Sequence, residues 1–215
     1  MYLVIDIETE NLGTDVMKDN KRILSVQIGD NVSQILYWAD SKDPKRNLQS
    51  AKKDILSLLS EGVIFTGYNI KGFDTIFLAK FLGIVLPESN LLDLNHPQKL
   101  AELTSIRKPR LEEICLACGI DVRHKQRMNE RAQKYAVKEE FKKAASAKAN
   151  ELVKEKGWSL DFAYRYSLDK ICLGNAIYYA YIEFIDSDEP KNTLFYEYAI
   201  GDVIVEYALL KKMRY

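Results

Sequence analysis

Tyr2-Leu3-Val4-Ile5-Asp6-Ile7-Glu8-Thr9 is the stretch on which the fold of this chain turns. It is β-branched and apolar with acids interleaved, the composition of a sheet strand. Alternate residues of a strand share a face, so Asp6 and Glu8 present two carboxylates together while Ile5 and Ile7 face the other layer. Outward from it, residues 23–28 and 33–38 follow at hairpin-like spacing and predict a three-stranded meander. Leu48, Ala51, Ile55, Leu58 and Leu59 recur at helical spacing up to Gly62, a C-terminal stop. Residues 63–66 read as a short buried strand, 73–82 as a helix closed by Gly83, and 91–94 as a fifth strand.

Strands alternating with helices imply a mixed sheet with helices on its faces, because parallel neighbours need helical crossovers. The expected class is therefore α/β, with five strands. Beyond Pro109 the pattern is helical: 110–118, a charged stretch over 124–156, an aromatic-rich stretch over 158–185, a break at 186–190, and a last helix over 192–213. We expect a single domain, 1–215, carrying a helical cap inserted at about residues 123–185.

The 215 residues are 47% hydrophobic, enough for one substantial core. Lys plus Arg and Asp plus Glu balance at 31 each, which excludes the overall basic field of a bulk nucleic-acid coater. No apolar run approaches the roughly 18 to 20 residues of a membrane span, so no membrane association and a cytoplasmic location are expected. Three cysteines, Cys115, Cys118 and Cys172, suggest reduced thiols and no disulfide framework.

Three short motifs carry chemistry. Asp6-x-Glu8-Thr9 can share a hard cation, although such a pair taken alone is more often a solvated strand end. Gly67-Tyr-Asn69-Ile-Lys-Gly-Phe73-Asp74 turns a buried strand into a helix, with Asn69 as its expected cap, Phe73 starting its apolar stripe and Asp74 in its first turn. Tyr198-x-x-x-Asp202 sets a phenol and an acid on one helical face, where a metal with its bound water would satisfy both.

In this order the three motifs resemble the DEDD superfamily of 3′-to-5′ exonucleases. The tyrosine resembles the DEDDy branch, since the histidine branch would need His five residues before the last acid, where this chain has Glu197. The resemblance covers residues 1 to about 118 and 192–215. It implies a ribonuclease H-like fold, with Asp6, Glu8 and Asp202 holding one metal, Asp6 bridging to a second, and Asp74 reaching that second ion directly or through water. Tyr198 would orient the attacking water, Glu8 would also contact the terminal sugar, Ile7 and Thr9 resemble positions that line the 3′-terminal nucleotide, and Asn69 and Phe73 are expected among the substrate-binding residues. Phosphodiester hydrolysis needs a nucleophile ionised near neutral pH and a sink for leaving-group charge, which two Mg²⁺ or Mn²⁺ ions about 3.5 to 4 Å apart supply. Oxygen-only ligands suit those ions rather than zinc.

Other features are read more plainly. Cys115 and Cys118 lie on an apolar helical face without a second ligand pair, as core residues. His96 and His124 stand without neighbouring ligands and are expected in polar surface roles, and Asp93 as a structural strand-end acid. Residues 107–157 hold 14 Lys or Arg against 8 Asp or Glu. Arg127, Arg131, Lys134, Lys138 and Lys142 are spaced to form one helical stripe, which is either a solvated face or a track for single-strand phosphates. The aromatics from Trp158 to Phe184 are expected mostly in the core.

The expectation is thus a metal-dependent exonuclease that hydrolyses nucleic acid, DNA favoured, from single-stranded 3′ ends to nucleoside monophosphates. A polymerase or repair partner would be needed for any proofreading role. The rivals are an exoribonuclease, since nothing in such a metal site reads the 2′-OH, and a catalytically silent nucleic-acid-binding module of the same fold.

Overall fold

The computed structural model of the chain describes residues 1–10 and 21–215. Five strands, β1 (Tyr2–Thr9), β2 (Ile23–Gly29), β3 (Gln34–Trp38), β4 (Ile64–Gly67) and β5 (Leu91–Asp93), form one sheet in the order β3-β2-β1-β4-β5. β2 and β3 are antiparallel, whereas β1 runs parallel to β4 and β4 parallel to β5. The expected α/β class and mixed five-stranded sheet are present. Parallel pairing of β1 with β4 is made possible by the helix α1 (Leu48–Ser60), which carries the chain from the β3 edge back past β1.

Each element follows from local chemistry. Asn47 caps α1 by accepting from the Ser50 amide at 2.9 Å, Ala51 and Ile55 are its buried stripe, and Gly62 takes a left-handed φ of 76° just after it. Strand β1 lies centrally, with Val4, Ile5 and Ile7 buried, so both faces are covered. Each such aliphatic residue contributes about 1.5 to 3 kcal/mol.

Several boundaries differ from the sequence expectation. The helix foreseen over 73–82 is a single turn, α2 (Asp74–Phe77), running into a wider π turn over Leu78–Leu82 that ends at Gly83, φ 63°. Asn69 is not its cap: Phe73 holds that position without a side-chain bond. Asn69 instead takes φ 66° and lays its amide across Gly72, where an added Cβ would lie 2.5 Å from Asn69 Oδ1. Asn tolerates this left-handed conformation and Gly leaves the room, so the two close a tight loop between β4 and α2. Asp93 pins the same loop, accepting from the amides of Asn69 at 2.9 Å, Lys71 at 3.3 Å and Asn95 at 2.8 Å, which is the structural role expected of it. The helix α3 (Pro97–Leu103) was not foreseen, although Pro97 sits at its start where a missing N–H costs nothing. It is followed by α4 (Leu111–Ala117), in which Cys115 is buried as expected.

The charged stretch is two helices, α5 (Arg123–Ala136) and α6 (Glu139–Lys156). Lys138 has extended backbone between them, φ −77°, ψ 131°, and the rings of Tyr135 and Phe141 meet edge-on across the break at 5.6 Å. The five-residue basic stripe therefore does not exist as one helical face: Lys138 and Lys142 belong to a different axis from Arg127, Arg131 and Lys134. Then come α7 (Leu160–Ile185) and α8 (Leu194–Lys212). Among the described residues no helix is long and apolar enough to cross a membrane.

The chain divides into two compact units. The first comprises Met1–Glu8, Ile23–Lys125 and Tyr196–Tyr215, and the second Thr9–Arg22 and Gln126–Phe195. In the first, Leu94, Leu100, Ile114, Leu209, Leu210 and Met213 form a buried cluster that fixes the C-terminal half of α8 against α3 and α4. In the second, Ala149 and Leu152 of α6 pack on Ala163 of α7, the two alanines letting the helices approach closely. Of the aromatic stretch only Tyr181 and Phe184 are fully buried. Phe162 is 52% exposed and Tyr179 46%, so it is less of a core than its composition suggests. The difference arises because α7 is covered along part of its circumference, and rings such as Trp158, Phe162 and Tyr166 cluster with one another at its margin.

Candidate metal centre

The site is assembled in the first unit from β1, the β4–α2 loop, the start of α5 and the middle of α8. The pleat of β1 supplies Asp6 and Glu8 on one face. Between them the Ile7 amide donates to Asp74 Oδ1 at 3.1 Å, so the first residue of α2 is tied to the strand. From α8, one helical turn apart, come Tyr198 and Asp202, both buried. One carboxylate oxygen from each of Asp6, Glu8 and Asp202 lies within 4.8 Å of the other two. The structure thus brings all five expected residues into the first unit, and three of the acids within reach of a single ion.

Three further side chains complete the set, and sequence reading passed over each. His124, expected on the surface, is buried: its Nε2 meets Asp202 Oδ1 at 2.9 Å, and its ring lies against Gly201, where an added Cβ would stand 2.4 Å from His124 Cγ. A lone His becomes a partner when another helix delivers an acid to it, as α8 delivers Asp202. Lys125 Nζ lies 2.6 Å from the same Asp202 oxygen and 5.3 Å from the Tyr198 ring centroid, a cation over an aromatic face. No spacing rule distinguished it from the solvated lysines around it. Glu206, one turn beyond Asp202, is buried and accepts the Tyr68 amide at 3.1 Å. Its signal was present in the sequence, because Tyr198, Asp202 and Glu206 repeat at a spacing of four.

The electrostatics are those of a group of acids with too few cations. Burial, and then the Asp202 charge, push Asp6 up to about 8, against the opposing pull of Lys125 and the Ile7 amide. Burial followed by Asp6 and Asp202 raises Glu8 well above the carboxylate range, and burial followed by Asp6 does the same to Asp74. Asp202 moves the other way: burial disfavours its charge, but Lys125 and His124 together outweigh that and hold it below its ordinary value. Burial also lifts the Tyr198 phenol well above its usual range, so it keeps its proton at neutral pH.

A divalent ion fits this arrangement. The donors are all oxygen, three of them converge, and Asp6 Oδ2 and Glu206 Oε2 are buried without a hydrogen-bond partner among the described residues. Buried carboxylate oxygens left unpaired are costly, and a hard cation with its water satisfies them. Asp6, Glu8 and Asp202 would hold the ion.

The expected substrate contacts fall in different surroundings. Ile7 and Thr9 are buried and Phe73 is half-buried, its ring 4.9 Å from that of Phe77. Arg127, Arg131, Lys134 and Lys138 all belong to the second unit, where Arg131 makes two bonds to the Glu183 carboxylate at 2.7 and 2.8 Å.

Comparison with family models finds no match for this chain, and comparison with curated proteins finds none either.

Proposed function

We propose that the chain is a metal-dependent 3′-to-5′ exonuclease of ribonuclease H-like fold, with DNA as its favoured substrate and nucleoside monophosphates as products. The observation that carries this reading is the convergence of Asp6, Glu8 and Asp202, drawn from a strand and a distant helix, within 4.8 Å of one another beside Tyr198. A surface accident does not account for it, because clustered buried acids cost stability unless a cation repays them.

Two Mg²⁺ or Mn²⁺ ions would supply an ionised water and a charge sink for the leaving oxygen. The chain's own residues do the rest. Asp6, Glu8 and Asp202 set the ligand positions, and Asp74 reaches in from its tie to β1. The Tyr198 phenol, protonated and buried, is a hydrogen-bonding group that orients water at Asp202. Lys125 and His124 hold Asp202 ionised and in one orientation, as an outer layer of contacts does for a ligating group. A binding module would gain nothing from this costly set, which disfavours the silent reading.

The deciding experiment is a time course on 5′-labelled single- and double-stranded DNA, and on RNA of the same sequence, with Mg²⁺ or Mn²⁺. Progressive shortening from the 3′ end that stops in a chelator supports the proposal. Intact substrate under every metal condition overturns it, and faster loss of RNA moves the substrate class.

A further inference from the structure

Glu206 is not needed for the three-acid cluster, yet it is among the most buried charged side chains of the first unit, at 3% exposure. Its two oxygens have different fates. Oε1 accepts the Tyr68 amide at 3.1 Å, which anchors α8 to the end of β4, whereas Oε2 is buried and has no partner among the described residues. Oε2 lies beside the bare backbone of Gly67: a Cβ there would stand 3.4 Å from Oε2, an ordinary contact, and 3.0 Å from the Ile5 carbonyl oxygen. Glu206 stands one helical turn after Asp202 on the same face of α8, and its Oε2 lies beside Gly67, next to the Ile5 carbonyl that precedes Asp6. Asp6 is also the residue whose Oδ2 is buried and unpaired.

Asp6 Oδ2 and Glu206 Oε2 are both buried without a partner among the described residues, and a hydrated cation held by the acids would give each one. We infer that Glu206 is a positioning residue of the metal centre, its Oε2 accepting a hydrogen bond from water carried by a cation seated on Asp6. This inference rests on the reading of the acid cluster as a metal centre. It adds a fifth carboxylate that acts through water.

The test is Mn²⁺ binding to the whole protein by calorimetry, without nucleic acid, alongside the Mn²⁺-dependent rise in melting temperature. Glu206→Gln keeps an oxygen for the Tyr68 amide and replaces the free acceptor oxygen by a donor. It should melt no lower than wild type in chelator, yet bind Mn²⁺ about 10-fold or more weakly. Glu206→Asp, which keeps the charge but withdraws the oxygen by one methylene, should also weaken binding. Wild-type affinity in both variants would sink the role of Glu206 while leaving the metal centre standing. A wild-type protein that binds no Mn²⁺ would sink the metal-centre reading and this inference with it.

Discussion

Lys125 Nζ stands 2.6 Å from Asp202 Oδ1, and the oxygen they share also meets His124 Nε2 at 2.9 Å. Adjacent residues at the start of α5 therefore converge on one oxygen of α8. The consequence is an asymmetric site, in which Asp202 is the acid held ionised while Asp6, Glu8 and Asp74 are pushed toward their neutral forms. On the proposed metal-centre reading, a cation would meet one ligand already charged and displace protons from the others, so binding should be coupled to proton release.

Removing the ammonium should expose the cost of the acids. Lys125→Met is expected to lose about 3 to 5 kcal/mol of stability at pH 7 in chelator, because a buried charge is left without its partner. Urea denaturation measures it, and added Mn²⁺ should recover part of the loss. A variant as stable as wild type would show that Lys125 is not the counter-ion of Asp202.

The contact between His124 and Gly201 makes a sign-reversing pair. Gly201→Ala alone should destabilise by about 1 to 3 kcal/mol, because the new methyl is driven into the imidazole. In a His124→Ala background the clash is gone, and the same change should stabilise by about 0.5 to 1 kcal/mol, the ordinary preference of a helix interior for Ala. Equal effects in both backgrounds would contradict the packing.

The pH dependence follows from Asp6. Its folded value, about 8, lies above the ordinary 3.8, so the metal-free fold binds this proton more tightly than the unfolded chain does. The resulting stability is fully present below about pH 4 and is lost as pH rises through about 8. Asp202 acts oppositely but in the window below its ordinary value, so it does not cancel this fall. Thermal melts in chelator should therefore decline between about pH 5 and 8. On the proposed metal-centre reading, saturating Mg²⁺ would bind the ionised acids and should flatten or reverse the decline; an unchanged profile would deny metal at these acids.

On the proposed function, Tyr198→Phe should separate water positioning from metal holding. It removes one hydroxyl and no ligand oxygen, so Mn²⁺ affinity should stay within about 2-fold while the rate of 3′-end trimming falls roughly 10- to 100-fold. An equal fall in both would make the phenol part of the metal's own support.

The sheet was legible at the level of its strands, because period-two alternation and short apolar runs are properties of contiguous residues. So was the pairing of Asp6 with Glu8 and of Tyr198 with Asp202, each spaced to share a face. The break between α5 and α6 was not, since helix-favouring residues continue through it and the turn is held by the Tyr135–Phe141 contact. Asn69 was misread for a related reason: an amide before a helix resembles a cap, and only the glycine beneath its side chain shows that it closes a loop instead.

What the chain determined by itself is the facing of residues along each element, because 3.6- and 2-residue periods are backbone geometry and need no partner. What only the tertiary structure decided is which faces meet. The Ile7 amide finds Asp74 across 67 residues, His124 finds Asp202 across 78, and the Tyr68 amide finds Glu206 across 138. No local propensity encodes such a meeting. It arises when the sheet and helices bury their apolar faces together, and the polar groups carried inward must then satisfy one another or a cation.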